Sequence, residues 1–281
     1  MTVALADLQA YLRQVAAQQY ETVALPGFTL YFHPGDDLVY FNYAIPDPSL
    51  AGPGKAGDLH ASLARMRAEC AARRRRPRFE FIAECAPGLD AALGAAGFVE
   101  EARQPLMVCT PDRWAAAPPV QGLCIHELDA AAPLDELRAF LDVRQRGFDL
   151  EAAGAAGEAE ARQFARTLGQ GRVFVARMQE GTPVAAGMYS SPLVAGPGRT
   201  RIAELAGLAT LAPFRRRGIA TALAAYAARD AFERGVEVVC LVAADARAGR
   251  VYERVGFHAC ATMLAYVEEY ETGFLASKPG F

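Results

Sequence analysis

Along Leu208-Ala209-Thr210-Leu211-Ala212-Pro213-Phe214-Arg215-Arg216-Arg217-Gly218-Ile219-Ala220 the chain has to stop being a strand and become a helix. Leu208 to Leu211 close a β-like stretch that opens at Arg201, and Pro213 ends it because proline brings no N–H to a ladder. A helical pattern then runs from Gly218 to Arg234. So short a passage lays the helix against the sheet it has just left and aims the helix's unpaired N–H groups at the strand's end. Such a terminus offers about four free donors and about half a positive charge, which suits a diphosphate. Gly218 and Ala220 leave room for its approach, and Arg215, Arg216 and Arg217 can add charge-assisted hydrogen bonds.

The flanking pattern is α/β. The spacing predicts a helix over 6–19, a hairpin of strands 28–32 and 38–43 around Pro34-Gly35-Asp36-Asp37, and a Pro/Gly-rich loop over 46–57. A helix carrying Leu59, Leu63, Met66 and Cys70, a strand over 79–83, a helix over 89–95 and a strand over 98–109 follow. Residues 111–119 have linker composition. Beyond them come a strand over 123–127, helices over 133–146 and 158–168, and strands over 172–178, 183–190 and 201–210. After the 218–234 helix, a strand over 236–243, a helix over 247–255 and a strand over 262–268 complete the chain. Strand, short helix, Gly-Phe and strand thus occur twice, with Gly97-Phe98 and Gly256-Phe257 at the same corner, which implies a duplicated fold. The expected division is 1–112, a linker over 113–120, and 121–281.

At 281 residues and 52% hydrophobic content, the chain has material for two cores. No apolar run is long enough to span a bilayer, and the first residues do not read as a secretory signal, so the expected compartment is the cytoplasm. Cys70, Cys85, Cys109, Cys124, Cys240 and Cys260 lack metal-site spacing, as do His33, His60, His126 and His258, so no metal is expected. A net charge of −3 speaks against a nucleic-acid surface. The run Arg73 to Arg76 reads as a solvated helix end whose cations complement the dipole.

About thirty residues past the first block stands a second, Asp245-Ala246-Arg247-Ala248-Gly249-Arg250-Val251-Tyr252-Glu253-Arg254-Val255-Gly256-Phe257, with one helix and one strand between them. The two blocks in this order resemble the GNAT superfamily of N-acetyltransferases, closely over 201–257 and in element order from 124 to 268. The resemblance implies tandem GNAT-like folds on mixed sheets, with acetyl-coenzyme A wedged between the strand ending near Leu211 and the strand beginning at Val236. It puts a bulge and Leu208, Ala209, Thr210 and Leu211 beside the cofactor, and Arg215, Arg216, Arg217, Gly218, Ile219 and Ala220 around its pyrophosphate. Tyr252 falls where the family carries a tyrosine that protonates the departing thiolate. Asp245 stands where the family usually has asparagine, which keeps an acceptor and loses a donor.

An amine acceptor must shed a proton before it attacks, and Glu204, interrupting the apolar run Ile202 to Leu208, is the candidate base. The alternatives for Glu204 are an ion pair with an arginine such as Arg201 or a side chain facing solvent, and for Tyr252 simple packing under the Gly256-Phe257 corner. The first half lacks the R-x-x-G-x-A loop, and Leu93 stands in the tyrosine's place, so this half is expected to cover the acceptor site rather than transfer acyl groups. Its Gly52-Pro53-Gly54-Lys55-Ala56-Gly57 loop reads as solvated, with anion binding the rival. The expected reaction is acetyl transfer from acetyl-CoA to a small-molecule primary amine, with Phe148 and Tyr189 near the acceptor and a homodimer compatible with it. A non-catalytic acyl-CoA sensor and a protein-modifying acyltransferase are the rivals.

Overall fold

The computed structural model describes residues 3–35, 39–48, 56–129, 131–148, 155–169 and 171–269. The first half comprises α1 (Leu5–Gln19), β1 (Glu21–Leu25), β2 (Phe28–Phe32), β3 (Asn42–Pro46), α2 (Ala56–Ala72), β4 (Arg78–Ile82), α3 (Leu89–Ala95) and β5 (Phe98–Cys109). The second comprises β6 (Leu123–Leu128), α4 (Leu134–Gly147), α5 (Glu158–Ala165), β7 (Gly171–Met178), β8 (Pro183–Ser190), β9 (Leu193–Ala195) and β10 (Thr200–Thr210). It ends with α6 (Ile219–Glu233), β11 (Val238–Val242), α7 (Ala246–Glu253) and β12 (His258–Glu268).

The elements agree with the sequence pattern except at three places. The hairpin's second strand is Asn42–Pro46, with Val39–Phe41 a 3-10 turn, because the buried Asn42 side chain anchors the turn. Its Oδ1 accepts from the His33 N–H at 3.1 Å and from Arg75 Nε at 3.2 Å. Strands β1 and β9 have no counterpart in the sequence pattern because β1 is a mostly exposed edge and β9 is three residues long, so neither gives clear alternation. The 36–37 positions of the hairpin turn and the 52–55 part of the glycine loop lie outside the described residues. The arginine run is less solvated than expected. Arg73 pairs with Glu69 and Glu21 over the Phe32 ring, and Arg76 donates to the Glu268 carbonyl, tying the end of α2 to β1 and β12.

All strands join one twelve-stranded sheet in the order β1-β2-β3-β4-β12-β5-β11-β10-β8-β7-β6, with β9 on β10. The two halves exchange their last strands. β12, from the end of the chain, pairs antiparallel with β4, while β5, from the first half, pairs antiparallel with β11. β5 and β12 also pair with each other from Phe98↔Glu268 to Val108↔His258, so each sheet is completed by the other half's strand. The apolar ends of these strands, Leu106 to Cys109 and Met263 to Val267, are buried at every consecutive position, so both faces of the sheet are covered there. Of the cysteines, Cys70, Cys109 and Cys240 are buried and Cys124 is exposed. Among the described residues no helix is long and apolar enough to cross a membrane, and no cluster of ligating side chains is placed to hold a metal ion.

Helix α1 bridges the two halves: Arg13 donates to the Ile45 and Pro46 carbonyls of its own half, while Leu8 and Asp7 reach the other. Leu8 and Tyr11 join a core with Ala195, Ile202, Val238 and Cys240. Asp7 is buried and accepts hydrogen bonds from the Gly198 N–H at 3.0 Å and Thr200 Oγ1 at 2.6 Å. A Cβ at Gly196 or Gly198 would collide with this carboxylate, which gives the turn its glycines. Asp7→Ala strands two donors, so it is expected to cost about 1–3 kcal/mol, read as a lowered denaturant midpoint at unchanged slope.

Candidate active site

β10 and β11 run parallel and pair at Ile202↔Val238, Ala203↔Val239 and Glu204↔Cys240, and no further. Beyond Glu204, β10 pairs only with β8, and its register shifts between Ala206 and Ala209. Gly207, at φ 63°, sits in this bulge in a conformation that favours glycine. The bulge reverses the facing of the strand. Ala203, Leu205 and Leu208 pack toward α6, while Gly207 meets Arg144 and Ala209 meets Gly147, both on α4. Two strands that part in mid-sheet leave backbone groups on the facing edges with no ladder partner there.

At the end of β10 a 3-10 turn over Ala212–Phe214 leads into the arginine loop. Arg216 at φ 65° and Gly218 at φ 82° turn the chain into α6. The first bond of that helix runs from the Ala222 N–H to the Gly218 carbonyl, so the helix itself supplies no acceptor for the N–H groups of Ile219, Ala220 and Thr221. The three arginines divide their roles. Arg215 Nε donates to the Thr210 carbonyl and its Nη2 to the Gly147 carbonyl, which clamps the loop to β10 and α4. Arg216 and Arg217 are exposed, and the Arg217 guanidinium lies 5.2 Å from the centre of the Phe214 ring. Leu208, Ala209, Thr210 and Leu211 lead from the bulge directly into this loop, with side chains that alternate between the α6 and α4 faces.

Glu204 is the last β10 residue paired to β11. Its N–H donates to Ser190 Oγ at 2.9 Å, and that oxygen lies 2.5 Å from Tyr11 Oη on α1. Glu204 keeps some exposure, yet its carboxyl is enclosed. Burial first, and the charge of Glu80 second, push that carboxyl up to about 7. Tyr11, Tyr43 and Cys240 face the same cluster, and burial raises each of them, so they stay neutral. No described arginine pairs with Glu204, and Arg201, the expected rival partner, instead donates its N–H to Glu237.

Residues 137–257 match the Acetyltransferase (GNAT) family. This segment is a GNAT domain. A GCN5-related N-acetyltransferase from Kribbella flavida superposes with a TM-score of 0.74 at 23% identity, over 96% of this chain and 98% of its own. One from Sphaerobacter thermophilus gives 0.62 at 17% identity, over 96% and 91%. A tandem GNAT protein from the clavulanic acid biosynthesis pathway gives 0.58 at 15% identity, over 87% and 79%. Comparison with curated protein sequences gives no match. At these identities the structures speak for the fold, and several of them share it across both halves.

In the GNAT domain α7 follows β11 directly, at the end where β10 has parted from it. Tyr252 packs against the α6 core with its ring 6.0 Å from that of Phe257, and burial raises its phenol above the usual value. Asp245 is exposed and caps α7 by accepting from the Ala248 N–H at 2.7 Å. Its identity therefore has a local reason, since aspartate is a strong N-cap. Tyr189 lies away from the Glu204 face; it is buried and its hydroxyl donates to Asp230 Oδ2 at 2.6 Å. Phe148 is half-buried just past α4. The residues the motifs did not flag are Tyr11, Ser190 and Arg144. The first two are brought to Glu204 by strand register and by the docking of α1, which no local pattern encodes.

Proposed function

We propose that the chain is an N-acetyltransferase that carries an acetyl group from acetyl-CoA to the primary amine of a small molecule. The observation that carries this reading is the parting of β10 from β11 immediately after Glu204, with a bulge on one edge and a helix N-terminus at its end. Acetyl-CoA, when bound, supplies an activated thioester. The residues present fit such a ligand. Open backbone edges flank a gap, the N–H groups of 219–221 and the side chains of Arg216 and Arg217 suit a diphosphate, and among the described residues Val120 alone comes within 4 Å of where a Cβ at Gly218 would stand.

In this reading Leu208 to Leu211 orient the pantetheine arm, and N–H groups at the bulge polarise the acyl carbonyl. Glu204 takes the proton from the acceptor's ammonium, directly or through water, and a carboxyl poised near 7 is matched to that task at neutral pH. Tyr252 holds its proton for the departing sulfur. α1 and α4 flank β10 on the Glu204 face, an enclosure that suits a small acceptor better than a protein surface. The division 1–112, 113–120 and 121–281 stands as part of the proposal, with β12 completing the sheet of the first half. The sensor alternative rests on the degenerate first half and on Asp245, and the capping role of Asp245 gives that residue a local reason.

Incubation with acetyl-CoA and a panel of primary amines, followed by mass spectrometry of acetylated products, tests the reaction. Tyr252→Phe is expected to lower kcat about a hundredfold while coenzyme A affinity holds. Full activity in this variant would remove Tyr252 from proton transfer.

A further inference from the structure

The bulge holds a cation that has no carboxylate partner among the described residues. Arg144 falls on the apolar stripe of α4, after the buried Leu137, Phe140 and Leu141. Its guanidinium lies flat over Gly207: a Cβ built there would stand 3.1 Å from Nε, 3.3 Å from Cζ and 3.3 Å from Nη2. Nε is sealed from solvent and has no acceptor, and the neighbour that faces the cation is the Phe140 ring at 5.5 Å. Among the described residues no carboxylate pairs with it. Burial alone, with no acidic neighbour offsetting it, lowers the affinity of this guanidinium for its proton.

An arginine placed on an apolar stripe loses hydration, and folds ordinarily recover that loss with a paired carboxylate. The other arginines set into this sheet follow that rule: Arg78 pairs with Glu80 and Glu101, and Arg177 with Glu136. Arg144 departs from it at the point where β10 breaks its pairing and glycine leaves the backbone open. A Cβ at position 207 would press on the guanidinium, which would have to give by a few tenths of an ångström, so the glycine and the arginine are packed as one feature.

We infer that Arg144 receives a carboxylate of the substrate at the bulge, so that the amine acceptor is an amino acid or a similar amine that also carries a carboxylate. The inference rests on the acyl-transfer reading of this site. A guanidinium fork matches a planar carboxylate with two parallel hydrogen bonds, and a single cation balances a single negative charge. Held there, the carboxylate would fix the acceptor beside the bulge, three residues along β10 from Glu204. A carboxylate on the acyl group, as in succinyl-CoA, would satisfy the same chemistry from the donor side.

The test uses the full chain, with wild type, Arg144→Met and Arg144→Lys. Coenzyme A binding is first measured by calorimetry for all three. Binding of similar strength by each shows that the cofactor site is intact, whereas no binding by the wild type would sink the acyl-transfer reading itself. Acetyl transfer is then measured to the common L-amino acids and to their carboxamides, which keep the amine and lose the charge. The wild type is expected to prefer one or more free acids over the matching carboxamides, Arg144→Met to lose about a hundredfold in kcat/KM on those acids, and Arg144→Lys to recover part of it. A loss confined to succinyl-CoA, with acetyl-CoA turnover unchanged, would assign the carboxylate to the donor.

Thermal melting separates this role from a structural one. Arg144→Met removes an unpaired charge from an apolar stripe, so its Tm should equal or exceed that of the wild type; a marked fall would make Arg144 part of the scaffold. The inference is overturned by coenzyme A binding with no preference for any carboxylate over its carboxamide, by a preference that survives in Arg144→Met, or by a sharp loss of coenzyme A affinity in that variant.

Discussion

Gly218→Asp is expected to abolish coenzyme A binding in a calorimetric titration, with at least about a hundredfold loss of affinity, while the protein remains folded. Gly218 sits at φ 82° as the N-cap of α6. Aspartate tolerates left-handed backbone better than most residues, and a Cβ there would meet only Val120 Cγ2 at 3.5 Å, an ordinary contact. Its carboxylate would set a negative charge beside the N–H groups of the first turn. The variant therefore repels the diphosphate from its donors, without a steric contact that forces unfolding. Gly218→Ala separates the two effects, since it carries the backbone strain but no charge, and should retain most of the affinity. Binding by Gly218→Asp within about threefold of wild type would move the diphosphate away from this loop.

The sheet's elements were legible because each half repeats strand, short helix, Gly-Phe and strand, with apolar runs that reach the buried sections of β5 and β12. The exchange of those strands was not, because Phe98–Cys109 and His258–Glu268 carry the same pattern whichever sheet they enter. Pattern encodes which face is buried, while the partner is decided by the assembled sheet. The arginine loop was legible for a different reason: Pro213 and Gly218 punctuate the chain strongly, and the geometry they impose is local.

Glu204 was visible as a charge in an apolar strand, but its surroundings were not, since Tyr11 and Ser190 reach it through contacts separated by many residues. Arg144 did leave a trace. It continues the spacing of Leu137, Phe140 and Leu141, where an apolar residue is expected, and a charge in that phase of a helix marks either an ion pair or a site. The loop arginines show the reverse error of a purely local reading: three identical exposed neighbours look equivalent, yet Arg215 donates to two carbonyls, on β10 and α4, and so clamps the loop.

Glu204→Gln should remove about two to four orders of magnitude from kcat/KM, the usual scale of a general base, and should also change the shape of the pH profile. In the wild type the carboxyl is pushed up to about 7, so kcat/KM should climb with pH as it ionises and level off above that value, and the glutamine variant should lose this limb. The same shift fixes the sign of a stability effect. The folded carboxyl lies above its unfolded value, so the fold disfavours the ionised form; stability is fully present below the unfolded pKa of about 4.3 and is lost as pH rises through about 7. Glutamine cannot ionise, so Glu204→Gln should melt several degrees above wild type at pH 8, and the gap should close as pH falls below about 4.3. A base should therefore lose activity and gain stability in one substitution. Were Glu204 held as a structural acceptor instead, the variant would melt lower and keep its pH profile, and that pair of results would take it out of the mechanism.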